Sequence, residues 1–310
     1  MKESGKFFGY KAAIGAFLVM FVNLGACTTL GIFLTSLSEY SGWDLGMVGY
    51  IGTVNTIGNV VLSLVAVKAL SKFGARVTML ISILACAAHV HFYTFATPGA
   101  TVPSLVFYYI AGFLASFSIT FGTHAVCSSV IADWFVEKRE QISGIVFSGA
   151  GFGAAIWVFA AGQLFQVTDF KNCYRILSIF ILAIGLFSVL VLIRSPQKLG
   201  QKPLGWDKAS QGAAEGAAVE VPGVDKATAL RSPAFWVLSL ALLFVCVSGT
   251  AYMSYAPSWW SANGMSATTS ANWNAVYLVL SGLVLLGVGK VFSKTCLLYT
   301  SDAADDLIGV

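Results

Sequence analysis

The stretch AAIGAFLVMFVNLGACTTLGIFLTSLS, residues 12–38, carries no charged side chain from end to end. A helix rises about 1.5 Å per residue, so about 20 such residues suffice to cross a hydrocarbon layer about 30 Å thick. Lys2, Lys6 and Lys11 precede the stretch, as basic residues precede a secretory signal. The apolar core of a signal is only about 7–15 residues long, so this segment spans and stays. Further stretches of the same kind follow at 45–67, 77–97, 102–131, 141–165, 173–193, 234–256 and 272–292. Several are rich in Gly and β-branched residues, which disfavour helix in water. In lipid only a helix satisfies its own backbone, and the argument reverses. The expected fold is an all-α polytopic membrane protein.

Composition agrees. The 310 residues are 57% hydrophobic and 10% charged, against about a quarter charged in a soluble domain. The net charge of +4 gives no reason to expect a nucleic-acid partner; the bilayer is the expected partner. Cys27, Cys86, Cys127, Cys173, Cys246 and Cys296 are scattered, without CxxC pairs or a nearby cluster of His ligands, and predict no metal site.

The positions of the basic residues orient the chain. With the N-terminus in the cytoplasm of a cell-membrane protein, every Lys and Arg except Lys171 and Arg175 lies on the cytoplasmic side. Trp43 and Trp259–Trp260 then mark the outer interface, and Tyr10 and Trp134 the inner one. Between spans six and seven the chain turns Gly/Ala-rich and polar. This predicts a first bundle over 1–194, a flexible or weakly helical cytoplasmic linker over 195–232, and a partial second bundle of two helices over 233–294.

Residues 131–153, IADWFVEKREQISGIVFSGAGFG, pair Trp134–Phe135 with Lys138 and Arg139, then a run of small residues containing Gly144, Ser148, Gly149 and Gly153. This junction resembles the span four–five region of the major facilitator superfamily, in particular its branch of oxalate–formate antiporters and monocarboxylate carriers. The resemblance covers about residues 7–294 and implies twelve spans in two bundles, of which eight are present. Gly149 and Gly153, one turn apart, suit close helix packing. SKFGARV at 71–77 resembles the superfamily's cytoplasmic latch through Lys72, Gly74 and Arg76. Ser71 replaces the expected acid, and Val67 the upstream glycine.

The candidate solute residues are few. No Asp or Glu falls inside a span, so a carboxylate proton relay is not expected. His124 is the one titratable group near mid-span; His89 and His91 are expected at the outer interface. Lys290 stands where the resemblance implies an arginine that pairs with the substrate's carboxylate. Asn23, Cys27, Thr28 and Thr29, with Asn55 and Asn59, then Tyr108, Tyr109 and Ser128, and Tyr252 and Tyr255, complete as a group a candidate polar, aromatic-lined pocket, while any single one of them serves by default as interhelical packing.

Gly149-Ala-Gly151-Phe-Gly153 mimics a dinucleotide fingerprint but lies inside an apolar span with no strand before it. Nor is there a P-loop, so neither nucleotide nor any other cofactor is expected, and no enzymatic activity. Beyond Lys294, CLLYTSDAADDL places Asp302, Asp305 and Asp306 where basic residues belong, and 295–310 are expected to be a non-native tail. The expected function is secondary transport of a small organic anion, monocarboxylate or oxalate/formate-like, by alternating access. The alternative is a transport-inactive sensor or scaffold of the same fold.

Overall fold

A computed structural model describes residues 7–30, 37–38, 40–99, 101–206, 226–265 and 267–295. The tail beyond Thr295 and most of the linker lie outside the described residues. Among the described residues the chain is helical, with one isolated backbone bridge and no strand. The helices are α1 Gly9–Thr28, α2 Leu45–Phe92, α3 Val102–Gly122, α4 His124–Trp134, α5 Arg139–Val167, α6 Phe170–Phe187, α7 Pro196–Leu199, α8 Lys226–Arg231, α9 Pro233–Ala262 and α10 Ala267–Thr295.

The 48 residues of α2 hold two of the expected spans. Gly74 alone is non-helical within it, at φ 77° and ψ 168°, a left-handed backbone that only glycine adopts without penalty. Contacts show that the chain reverses there. In the arm before Gly74, Val48 meets Tyr108 and Asn55 meets Ser116, so the arm runs parallel to α3. In the arm after it, Ser82 and Tyr93 approach Gly122 and Tyr108 respectively, so that arm runs antiparallel to α3.

The same reading orders the rest. Asn23 and Cys27 of α1 meet Ser82 and His89, so spans one and three run together. Asn23 meets Ser118, while Ala16 meets Cys127, so span four opposes span one. Span five follows span one, with Phe17 on Gly149 and Phe21 on Gly153. Span six opposes span three, with Arg76 on Val189 and His91 on Ser178. Alternation through six crossings is what a membrane bundle of short loops requires.

The closest seam is between α1 and α5. A Cβ built on Gly149 would stand 2.6 Å from the Phe17 carbonyl oxygen, and one on Gly153 would overlap the carbonyl of Phe21. Small residues allow such backbone contact, and close van der Waals packing holds helices together where lipid removes the hydrophobic drive. Trp134, Tyr108, Tyr174 and Met20 fill the interior.

Two features depart from expectation. Span four is not one helix: Thr123, at φ −114° and ψ −136°, separates α3 from α4. Hydropathy is continuous across this break, so the composition conceals it. The first residues of the expected linker also fold onto the bundle. Leu204 pairs by backbone with the 134–137 turn, donating to the Trp134 carbonyl at 2.8 Å and accepting from Val136 at 2.9 Å. Gln201 Oε1 accepts the Phe8 N–H at 3.0 Å, and Trp134 Nε1 donates to the Arg194 carbonyl at 2.8 Å.

The chain divides into two compact units. One holds the residues up to Leu204 together with those from Tyr277, and the other runs from Gly205 to Val276. In the first, Leu278 packs on Ala154 and Ala155, while Gly282 lies against Gly151 of α5.

Candidate functional site

His124 opens α4 directly after the break in span four. Its ring stands edge-on to Phe147 of α5, with centroids 5.0 Å apart and an interplanar angle of 64°. Neither ring nitrogen has a hydrogen-bond partner among the described residues, and the side chain is exposed on the other side. Ser128, one turn on, is exposed beside it. Ionisable side chains within spans face a bundle interior or a water-filled cavity rather than lipid. These two residues therefore mark a polar face of span four.

The other candidates are distributed differently. Asn23 is fully enclosed; its Nδ2 donates to Ser82 Oγ at 3.1 Å, and its Oδ1 accepts from Ser118 Oγ at 2.9 Å. It forms a knot joining spans one, three and four. Thr28 donates to the Gly25 carbonyl of its own helix at 2.6 Å. Tyr108 is enclosed and donates to the Val48 carbonyl at 2.9 Å.

Asn55 and Asn59 form a relay between spans two and four. Asn55 Nδ2 faces the Gly112 carbonyl at 3.3 Å, and its Oδ1 accepts from Asn59 Nδ2 at 3.1 Å. Tyr252 lies in the second unit, its ring 6.1 Å from that of Trp260. The side chains of Lys290 and Tyr255 lie outside the described ones.

His89, expected at the interface, is 1% exposed and packed between spans one and three, with Nε2 3.8 Å from Cys27 Sγ. Its neighbour two residues on, His91, approaches Ser178 of span six at 3.5 Å. The two imidazoles lie two helical steps, about 200°, apart, so one faces span one and the other span six. A position at a span's end does not by itself make a side chain interfacial when its helix is surrounded by others.

The cytoplasmic-latch candidates act within the first unit. Arg76 donates through Nε to the Val189 carbonyl at 3.2 Å and through Nη2 to that of Leu190. Lys72 is exposed, its ammonium 5.3 Å from the Phe73 ring centroid. Lys138 takes the left-handed conformation, at φ 64°, and Arg139 returns its Nε to the Phe135 carbonyl at 3.2 Å. Among the described residues no three His, Cys, Asp or Glu side chains converge as metal ligands.

The model of the Major Facilitator Superfamily matches residues 16–300. The chain belongs to this superfamily. As a superfamily member it is similar to the aspyridones efflux protein of Emericella nidulans, with 29% identity over 61% of this chain and 38% of that protein. The uncharacterized MFS-type transporter YhjX of Escherichia coli K12 is 24% identical over 89% of this chain and 64% of its own length. The agnestins efflux protein of Paecilomyces divaricatus is 24% identical, covering 61% of this chain and 43% of its own. The chain therefore spans between 38% and 64% of the length of these relatives.

Proposed function

We propose that this superfamily member moves a small organic anion, monocarboxylate or oxalate/formate-like, across the cell membrane by alternating access, with its N-terminus in the cytoplasm. The observation that supports this best is His124, an imidazole with no hydrogen-bond partner among the described residues, on the polar face of span four. A neutral or protonated imidazole donates to a carboxylate, and no Asp or Glu falls inside the uncharged apolar stretches to repel one. Lys290 supplies the fixed positive charge in this reading, and its single ammonium grips less specifically than a guanidinium fork. The first bundle, 1–194, and the partial second, 233–294, are the moving bodies, and no covalent step is involved.

The test is counterflow in vesicles from cells expressing the reading frame that contains this chain. Labelled formate, oxalate and lactate are offered against each as internal counter-anion. Accelerated exchange of at least one supports the reading. Flux of sugars or organic cations without any organic-acid flux overturns it.

Two of the relatives carry the name of efflux proteins, which favours a second reading as an exporter of a larger metabolite. Outward flux that no short-chain acid competes for distinguishes it.

A further inference from the structure

Spans one and six touch where both approach the same face of the membrane. A Cβ built on Gly15 would stand 2.8 Å from Leu192 Cβ and 2.9 Å from Ile193 Cδ1, so the two helices close to a seam there. At the top of the seam, one ring gathers two cations. The Lys11 ammonium lies 5.6 Å from the Phe8 ring centroid, and the Arg194 guanidinium 5.7 Å from the same point. The backbone that carries them is anchored. Gln201 Oε1 accepts the Phe8 N–H at 3.0 Å, and the Arg194 carbonyl accepts from Trp134 Nε1 at 2.8 Å.

These charges have no protein counter-ion. Lys11 and Arg194 are both exposed, and neither makes an ion pair among the described residues. Residues 7–30 and 170–204, which carry the two cations, include no Asp or Glu. Arg76 stands near the same end of span six, but it is committed to the carbonyls of Val189 and Leu190. Toward the bilayer the surface changes character. Ile14, one turn deeper than Lys11, is exposed, as are Leu190 and Val191, one turn deeper than Arg194. Apolar side chains on the outside of a spanning bundle meet acyl chains, which are as apolar as they are.

We propose that the seam between spans one and six seats an anionic phospholipid, with its phosphate between Lys11 and Arg194 and its chains along Ile14, Leu190 and Val191. The pattern of the surface, charge above and apolar groups below, is complementary to such a lipid along its length. A guanidinium offers phosphate oxygens two donors in one plane, and an ammonium adds a compact charge. The Phe8 ring holds both cations in place, so little side-chain freedom is lost when the phosphate arrives. A zwitterionic lipid brings a cation of its own to this spot, where Lys11 and Arg194 repel it. A free anion uses only the upper half of the seat. The seat stands apart from the solute reading, because lipid retention is measured without transport.

The test is native mass spectrometry of the purified chain, titrated in detergent with phosphatidylglycerol or with phosphatidylcholine of equal chain length. Half-saturation by one phosphatidylglycerol is expected at a concentration at least about tenfold lower than by phosphatidylcholine. Lys11→Gln with Arg194→Gln should raise that concentration at least about tenfold, as two interfacial cations are lost. The exchange Lys11→Arg with Arg194→Lys keeps both charges and should leave it within about threefold. Lys72→Gln removes another exposed, ring-stacked cation of the first unit and should leave it unchanged. Equal retention of the two lipids overturns the proposal. So does a loss on Lys72→Gln as large as that of the double variant, which reports attraction to the bundle's charge at large. Release of the bound lipid by inorganic phosphate, but not by chloride at equal ionic strength, overturns it in favour of a free anion. Should the double variant fail to fold, Lys11→Gln alone must weaken phosphatidylglycerol at least about threefold, and no weakening overturns the proposal.

Discussion

Arg76 holds Val189: its guanidinium reaches from the start of span three to the last-turn carbonyls of span six, donating to those of Val189 and Leu190. Ser188–Leu192 form a wide π-helical turn, and carbonyls in a terminal turn lack helix donors. A cation at a helix C-terminus also opposes the end charge of the helix. With Ser71 where the superfamily's latch has an acid, and its hydroxyl returned to the Lys68 carbonyl, Arg76 braces the bundle from within.

Replacing Arg76 with Gln removes the charge and keeps a shorter donor. Arg76 is exposed, so the expected loss is about 1 kcal/mol, below the range of about 1.5–3 kcal/mol for hydrogen bonds to charged groups because water competes for the guanidinium. Arg76→Lys should fall between the two, because an ammonium cannot span both carbonyls as a planar fork does. Thermal unfolding in detergent orders the three proteins; an unchanged midpoint for Arg76→Gln contradicts the bracing role.

The seam between α1 and α5 makes a sharper prediction. Gly153→Ala places a methyl on the Phe21 carbonyl, and both elements are backbone, so neither can step aside. Overpacking of this kind costs about 1–3 kcal/mol. Gly162, on the same helix, has nothing within 4 Å of an added Cβ. Gly162→Ala should therefore be neutral or stabilising by up to about 1 kcal/mol. Equal effects at the two positions, measured as unfolding midpoints, refute the seam.

The spans were legible because a bilayer leaves one solution for an uncharged stretch such as 12–38, and because Lys and Arg crowd one side. Gly74 was legible as part of the motif between spans two and three, though not as the only non-helical residue of a 48-residue α2. What escaped depends on partners distant in the chain. Asn23 reads like a pocket residue until Ser82 and Ser118 close around it. His89 reads as interfacial until span one covers it. The break at Thr123 is invisible to hydropathy, since Phe121, Gly122, Ala125 and Val126 are as apolar as any unbroken span. The fold of 195–204 onto the bundle depends on backbone pairing, which polar composition does not report.

Lys138 is the one non-glycine among the described residues with positive φ. It caps α5 at the turn that Leu204 pairs with, so the turn is held from both sides. The left-handed region costs an ordinary residue about 1–2 kcal/mol. Lys138→Gly should relieve that strain and be neutral or slightly stabilising, whereas the β-branched Lys138→Val should destabilise by more than about 1 kcal/mol. The two variants remove the same charge, so a difference between their unfolding midpoints isolates the backbone.

His124 separates packing from transport. Its ring contact with Phe147 is worth about 0.5–1.5 kcal/mol, and its nitrogens bond nothing described. His124→Phe keeps an aromatic edge on Phe147 while deleting the donor. It should leave the stability within about 0.5 kcal/mol of the parent and, on the proposed function, reduce organic-anion exchange at least tenfold. His124→Ala should lose both. If His124→Phe exchanges anions at the parental rate, the imidazole is only a packing group, and the proposed role of His124 in solute binding falls.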